Sequence, residues 1–134
     1  MQAKPRIPES EKITINLGPI DLGQIDLLVQ EGFYSTRTDL IRSAIRNQLA
    51  THGDVLKQSI ARRMLVLGLQ DLSRRDLEAA RKANQRLRIQ VLGLVRIDDD
   101  VTPALARDTI ESIVVLGALH ASPAVKAALA DRIH

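Results

Sequence analysis

The stretch GFYSTRTDLIR, Gly32–Arg42, decides the fold of the first third of the chain. It holds both aromatic residues of the protein, Phe33 and Tyr34. The glycine that opens the stretch is the residue type that most often ends a helix in a left-handed conformation. Thr36 and Asp39 follow with the spacing of a capping box, with Asp in place of the usual Glu. The stretch therefore predicts a turn that joins two helices.

Apolar residues at helical spacing lie on both sides of this turn. Asp21 and Gly32 mark the start and end of the first helix, and Gly53 is expected to end the second. The apolar positions of the first helix are Ile20, Leu22, Ile25, Leu28 and Val29, and those of the second are Leu40, Ile41, Ala44, Ile45 and Leu49.

A short strand is predicted before the first helix, because apolar and polar residues alternate there with a period of two. The apolar positions are Ile13, Ile15 and Leu17, and the polar positions are Lys12, Thr14 and Asn16. Residues 1–10 follow no such pattern and are interpreted as a flexible arm.

One strand and two helices are too little to bury a core alone, and domains of this size use disulfides, metals or partners. The chain contains no cysteine, which excludes disulfides and thiolate metal sites. A lone strand also leaves both edges unpaired. A symmetric dimer, in which the strand pairs with its own copy, solves both problems.

The ordered combination of KITINL with GFYSTRTDLIRSAIRNQL resembles the ribbon-helix-helix family of DNA-binding proteins over residues 11–50. The resemblance implies an intertwined homodimer whose two-stranded ribbon enters the major groove of double-stranded DNA. The linker GPIDLGQ departs from the family pattern because it is richer in Gly and Pro. By position, the base-reading residues would be Lys12, Thr14 and Asn16, and the phosphate-binding residues Ser35, Thr36, Arg37 and Thr38.

These residue types suit both tasks. The major groove admits a two-stranded ribbon, Lys can reach guanine acceptors, and Asn can pair with adenine through two hydrogen bonds. The free N–H groups at a helix N-terminus favour an anion. The other interpretation of the polar strand positions is an ordinary solvated face. Phe33 and Tyr34 are interpreted as packing residues of the turn, with Phe33 in the core and the Tyr34 hydroxyl outward.

The second part of the chain contains a repeat of 24 residues. RIQVLGLVRIDDDVTPALA at 88–106 aligns without a gap to SIVVLGALHASPAVKAALA at 112–130, and MLVLGL at 64–69 is a looser third copy. Each unit reads as a strand, apolar on both faces as buried strands are, followed by a helix. Helix starts are predicted at Ser73, Thr102-Pro103 and Ser122-Pro123. The order β-α-β-α-β-α predicts a parallel sheet.

The predicted fold class is therefore α+β, with three segments. Residues 1–10 form the arm, residues 11–53 the ribbon-helix-helix dimerisation and DNA-binding domain, and residues 54–134 an α/β repeat domain for oligomerisation or effector sensing. Few repeats with open strand edges seldom bury a core alone, so this domain is expected to join dimers into a tetramer or a larger assembly. It resembles no ligand-binding family.

The net charge of +3 and the pI near 9.7 are compatible with a nucleic-acid partner. The basic residues of the middle helix are interpreted as a solvated face, with extra phosphate contacts as the alternative. The run Asp98-Asp99-Asp100 is interpreted as a turn, or else as a patch that meets the basic helix of a neighbouring subunit. The basic residues are Arg74, Arg75, Arg81, Lys82, Arg86 and Arg88.

Other function classes find no support in the residues. The three histidines, His52, His120 and His134, are far apart in sequence, so no metal site or cofactor is expected. No catalytic constellation or phosphate-binding glycine loop is present, so an enzyme is not expected. No apolar run approaches the roughly 20 residues that span a bilayer. A cytoplasmic, nucleoid-associated protein is expected.

The leading hypothesis is a sequence-specific transcriptional regulator, expected to be a repressor. One alternative is an autoregulating antitoxin of a toxin–antitoxin pair, although the repeat-rich second part differs from the disordered toxin-binding tail that antitoxins of this fold carry. The other alternative is a self-assembling structural protein in which the repeats stack and the first domain only dimerises.

Overall fold

The computed structural model describes residues 10–134, which divide into two compact units between Leu56 and Lys57. The first unit contains helix α1, Pro19–Gln30, and helix α2, Arg37–Thr51. Helix α3, Gly53–Arg62, crosses the boundary between the units. Residues 1–9 of the predicted arm lie outside the described residues. None of the helices in the described part of the chain is long and apolar enough to cross a membrane.

Helix α3 was not predicted: the second helix ends just before Gly53, as expected, but a further helix begins at that residue. Helix α2 ends at Thr51, His52 is its C-cap, and Gly53 is the first residue of α3. The His52 carbonyl accepts from the N–H of Leu56 at 3.0 Å, so helical hydrogen bonding restarts at once. The apolar positions Leu56 and Ile60 lie one turn apart, so the sequence does carry a helical signal here.

The second unit alternates strands and helices, as the repeat predicted. Strand β1, Val66–Leu72, precedes helix α4, Arg74–Lys82; strand β2, Leu87–Ile97, precedes helix α5, Pro103–Thr109; and strand β3, Ile110–His120, precedes helix α6, Pro123–Ala128. The three strands are parallel and lie in the order β1-β2-β3. The predicted parallel sheet is thus confirmed.

Equivalent residues of the sequence repeats lie opposite each other in neighbouring strands of the sheet. Gly68 pairs with Gly93, and Gly93 pairs with Gly117. All three glycines have a positive φ, between 125° and 142°. A Cβ on Gly93 would overlap the carbonyl oxygen of Gly68, and one on Gly117 would overlap that of Gly93. Glycine is therefore required at Gly93 and Gly117 for steric as well as conformational reasons.

The helices of this unit begin where the sequence predicted. Ser73 and Asp76 form a full capping box at the start of α4. The Thr102 hydroxyl accepts from the N–H of Leu105, and the Ser122 hydroxyl accepts from the N–H of Val125, each with Pro at the first helical position. These caps satisfy N–H groups that have no acceptor within their own helix.

The core of the second unit lies between one face of the sheet and the helices. It is aliphatic, and the helices α4, α5 and α6 all contribute to it. Its members are Leu72, Leu77, Ile89, Val91, Val95, Ile97, Val101, Leu105, Ala106, Ile110, Ile113, Val125 and Leu129.

The opposite face of the sheet is a correction, because the strands were predicted to be buried on both sides. Leu67 and Leu69 of β1 are 69% and 65% exposed, and Leu116 of β3 is 42% exposed. Helices α4 and α5 join consecutive parallel strands, and right-handed crossovers of that kind place both helices on the same side of the sheet. Within the described second unit, the other face of the sheet therefore has no helix packed on it.

Candidate nucleic-acid interface

The segment that carries the predicted base-reading residues precedes α1. In the single chain, residues 11–18 have neither helix nor strand, and Lys12, Thr14 and Asn16 are all exposed. The predicted strand is not formed in the single chain because a β-strand requires a second strand for its backbone N–H and C=O groups. Pairing of this segment with its own copy remains a prediction.

The apolar side of the same segment is exposed as well. Ile13 is 78% exposed and Ile15 is 66% exposed, although both are large aliphatic side chains. Neither α1 nor α2 contains a buried residue. Leu27 and Leu49 of these helices are also more than half exposed. Within its described residues, the first unit thus has apolar residues at core spacing but no buried core.

The turn between α1 and α2 is tightly defined. Gly32 has φ 85°, its N–H donates to the Val29 carbonyl, and the N–H of Phe33 donates to the Leu28 carbonyl. This pair of bonds is the Schellman motif, so the predicted helix-ending role of Gly32 is confirmed. Phe33 is 70% exposed in the single chain and Tyr34 is half-buried, so the burial of Phe33 between two chains stays a prediction.

The four predicted phosphate-binding residues lie together at the start of α2 and all are exposed. Thr36 is the N-cap, and its hydroxyl accepts from the N–H of Asp39 at 3.0 Å. The Asp39 carboxylate accepts from the N–H of Ser35 at 3.1 Å and from its hydroxyl at 3.2 Å. The capping box is therefore displaced by one residue, because Ser35 rather than Thr36 donates to the acid.

Arg37 is held by α1. Its Nε donates to one carboxylate oxygen of Asp26 at 2.7 Å and its Nη2 donates to the other at 2.8 Å. This two-point contact lowers the pKa of Asp26 and raises the pKa of Arg37. Sequence reasoning missed Asp26, since its partner lies 11 residues away on another helix and no periodic pattern marks the pair.

The contacts at Ser35 and Arg37 reduce the number of hydrogen-bond donors at the start of α2 that could bind a phosphate. The N–H of Ser35 and the guanidinium of Arg37 already donate to carboxylates. The first N–H groups of a helix have no acceptor within it, so the amides of Arg37 and Thr38 are the donors best placed for an anion. The predicted phosphate site thus depends on backbone groups more than on the arginine side chain.

Comparison with known proteins decides the family. The model of the ribbon-helix-helix transcriptional regulator family matches residues 8–126. The chain belongs to this family. The match extends over the sheet of the second unit as well as the first unit. No similar curated protein and no similar solved structure was found.

In this ribbon-helix-helix protein three of the six basic residues assigned to the middle helix are paired with acids, and Arg86 and Arg88 lie beyond the end of α4. Arg74 contacts Glu78 at 2.8 Å, Arg88 contacts Glu111 at 3.0 Å, and Arg81 lies 3.7 Å from Asp108. These contacts favour the interpretation of a solvated helix face over a separate phosphate-binding surface.

An open cleft of about 650 Å³ beside this helix contains further arginines. Arg107 donates to the Ala128 carbonyl and to the Asp131 carboxylate, and Arg132 donates to the carbonyls of Arg107 and Ile110. Arg107 and Arg132 therefore link the ends of α5 and α6 to the start of β3 through hydrogen bonds.

The acidic run lies between β2 and α5. The N–H of Val101 donates to the Asp98 carbonyl at 3.1 Å, so the run forms the predicted turn. Asp100 also contributes to the raised pKa of Arg74, after the larger effect of the Glu78 hydrogen bond. Within residues 10–134, no three His, Cys, Asp or Glu side chains are grouped so that they could hold a metal ion.

Proposed function

We propose that this transcriptional regulator is a sequence-specific DNA-binding repressor. Residues 11–17 of two chains form an antiparallel ribbon, and the ribbon enters the major groove with Lys12, Thr14 and Asn16 toward the bases. The N-terminus of α2 holds a backbone phosphate on each side. Membership of a family of transcriptional regulators supports the general function, and the exposure of the polar side chains supports their role.

The observation that carries the proposal is the missing core of the first unit. Ile13 and Ile15 are exposed on one side of a segment whose other side bears the base-reading residues. A second chain that covers the isoleucines would leave the polar residues outward as a two-stranded surface. A surface of that width fits the major groove of B-DNA.

Each part of the interface has a separate task. Lys, Thr and Asn side chains on the ribbon contact base edges and select the sequence. The amides of Arg37 and Thr38 contact a phosphate, which fixes the position of the dimer and carries no sequence information. The Asp26–Arg37 contact holds the second helix against the first, so the phosphate site and the ribbon keep a defined distance.

The second unit has the assembly role in this proposal, in which it joins dimers on DNA into a tetramer or a larger complex. Its aliphatic core distinguishes it from the disordered tail expected of an antitoxin. The open face of its sheet offers an apolar surface of the kind that marks a protein contact.

Binding to DNA at several salt concentrations tests the function. Purified protein is titrated into a duplex from upstream of its own gene and into a scrambled duplex of equal composition. We expect tighter binding to the first duplex at every salt concentration. Both affinities should fall with salt, with a log–log slope of about −0.9 per phosphate contacted. Equal affinity for the two duplexes at all salt concentrations would contradict a sequence-specific regulator of its own gene.

A further inference from the structure

The two edges of the sheet in the second unit differ. At β3, the N–H of Ile113 donates to the Arg132 carbonyl and the N–H of His134 donates to the Ile113 carbonyl, both at 2.8 Å. Ile113 and Ile133 form a parallel bridge there. Along β1, the described chain supplies a partner strand on the β2 side alone. One edge is thus partly covered by the end of the chain, and the other is open over seven residues.

Over its first four residues the open edge lacks the charges and proline that protect such edges in soluble proteins, and the charged residue of β1, Asp71, lies near the end of the strand. Its first four residues are Val-Leu-Gly-Leu, and Val66, Leu67 and Leu69 are each more than half exposed. A long apolar edge with unpaired backbone groups is a template for another strand. The absence of charge over these four residues disfavours a nucleic acid and favours a protein strand.

Gly68 gives a second, independent indication. Its φ of 130° resembles that of Gly93 and Gly117, each of which lies against the carbonyl of the preceding glycine. At Gly68, apart from the glycine and its two chain neighbours, no atom of the described chain lies within 4 Å of the position that a Cβ would take. Gly68, Gly93 and Gly117 form a row across the sheet, here called the glycine ladder. Gly68 at the open edge has the same backbone conformation as Gly93 in the central strand, and there is room beside it for the backbone of one more strand.

We propose that β1 pairs antiparallel with β1 of a second copy of this chain, which joins two three-stranded sheets into one of six strands. This inference rests on the assembly role proposed above and names its surface. A strand related to its copy by a two-fold axis is self-complementary. Because the β3 edge is partly occupied by the C-terminal residues, growth stops at six strands, and a closed complex forms instead of a polymer.

Several features make a second copy the best occupant of this edge. Proteins of this family generally bind DNA as dimers, so at least two second units are held in one particle. When two dimers pair at one such edge, their other two β1 edges are brought near each other, and the raised effective concentration favours a second pairing that closes the complex. Pairing at the edge also extends the open apolar face across both sheets, since Leu67 and Leu69 lie beside the junction.

Chemical crosslinking tests the pairing in the full-length protein. The chain has no cysteine, so Leu69→Cys and Leu116→Cys each introduce one reactive thiol on the same face of the sheet. Across six strands spaced about 4.8 Å apart, the two copies of β3 are separated by roughly 24 Å. We expect a short bismaleimide to join two chains through position 69 and not through position 116. Crosslinking at both positions, which indicates contact through the open face, or at neither position, would overturn the proposal.

Sedimentation of two lysine variants provides a second readout. Leu69→Lys places a charge beside the junction and should reduce the mass of the complex in sedimentation. In a protein with a second change, Leu67→Cys, it should also prevent crosslinking through position 67. The matched variant Leu116→Lys should leave both measurements unchanged. DNA preference is measured separately on the same proteins. If the wild type shows no preference for the upstream duplex over the scrambled duplex, the DNA-binding function is rejected. If it shows that preference but does not crosslink through position 69, only the β1 pairing is rejected.

Discussion

Replacement of Gly93 by alanine should destabilise the second unit far more than the same change at Gly68. Both residues have a positive φ, and an L-residue in such a conformation costs about 2 kcal/mol. At Gly93 the added Cβ would also overlap the Gly68 carbonyl, and relief of such overpacking costs about 2 kcal/mol more. We therefore expect a loss of about 4 kcal/mol for Gly93→Ala and about 2 kcal/mol for Gly68→Ala.

Urea unfolding followed by circular dichroism measures both losses. Each alanine variant is compared with its parent in a Leu69→Lys background, because pairing at the β1 edge would otherwise add a contact at Gly68. The difference of about 2 kcal/mol between the variants isolates the steric contact from the backbone strain. Equal losses at the two positions would refute the close approach of the Gly68 carbonyl to Gly93, and with it the reasoning about the glycine ladder.

Two further predictions concern the first unit. Thr36→Ala removes the hydroxyl that accepts from the Asp39 N–H and should lower the free energy of unfolding by about 1 kcal/mol, whereas Thr38→Ala should change it far less. Asp26→Asn should lower the thermal midpoint at neutral pH, since the pKa of Asp26 is lowered by Arg37. A group with a lowered pKa stabilises the fold fully above its unfolded pKa, so the midpoint difference should begin to shrink below about pH 4 and vanish only below the lowered pKa of the folded state. A difference that persists in acid would show that the carboxylate charge is not the cause.

Local patterns predicted much of the fold, because helices and strands leave a period in the sequence. The caps at Thr36, Ser73, Thr102 and Ser122 were readable since each involves residues only three positions apart. The repeat gave the parallel sheet, and it gave the register as well, because equal units stack with their glycines aligned.

Features that depend on tertiary contacts were not readable. The apolar strands predicted a sheet buried on both faces, but which faces the helices cover follows from the connections between strands, and one face is left open. The Asp26–Arg37 contact joins two helices whose relative orientation no sequence pattern gives. The start of α3 at Gly53 was hidden by the usual association of glycine with helix ends.

The site itself was predicted through family resemblance and remains to be tested at the level of single residues. The structure places Ser35, Thr36, Arg37 and Thr38 together at one helix start. It leaves the polar residues of the ribbon exposed before α1. What the single chain lacks is the second strand, and that strand comes from another copy in our proposal.

The central claim is that the polar residues of the ribbon read bases, and the ratio of affinities for the upstream duplex and the scrambled duplex tests it most directly. The ratio is measured for the wild type, for Thr14→Ala/Asn16→Ala, and for Asn47→Ala/Thr51→Ala, which removes the same residue types from exposed positions on α2. Each good base contact contributes about 1–3 kcal/mol of discrimination. We predict that the ribbon variant loses the preference but keeps salt-dependent binding, while the α2 variant keeps both. An unchanged ratio in the ribbon variant, in a wild type that prefers its own DNA, would contradict the claim.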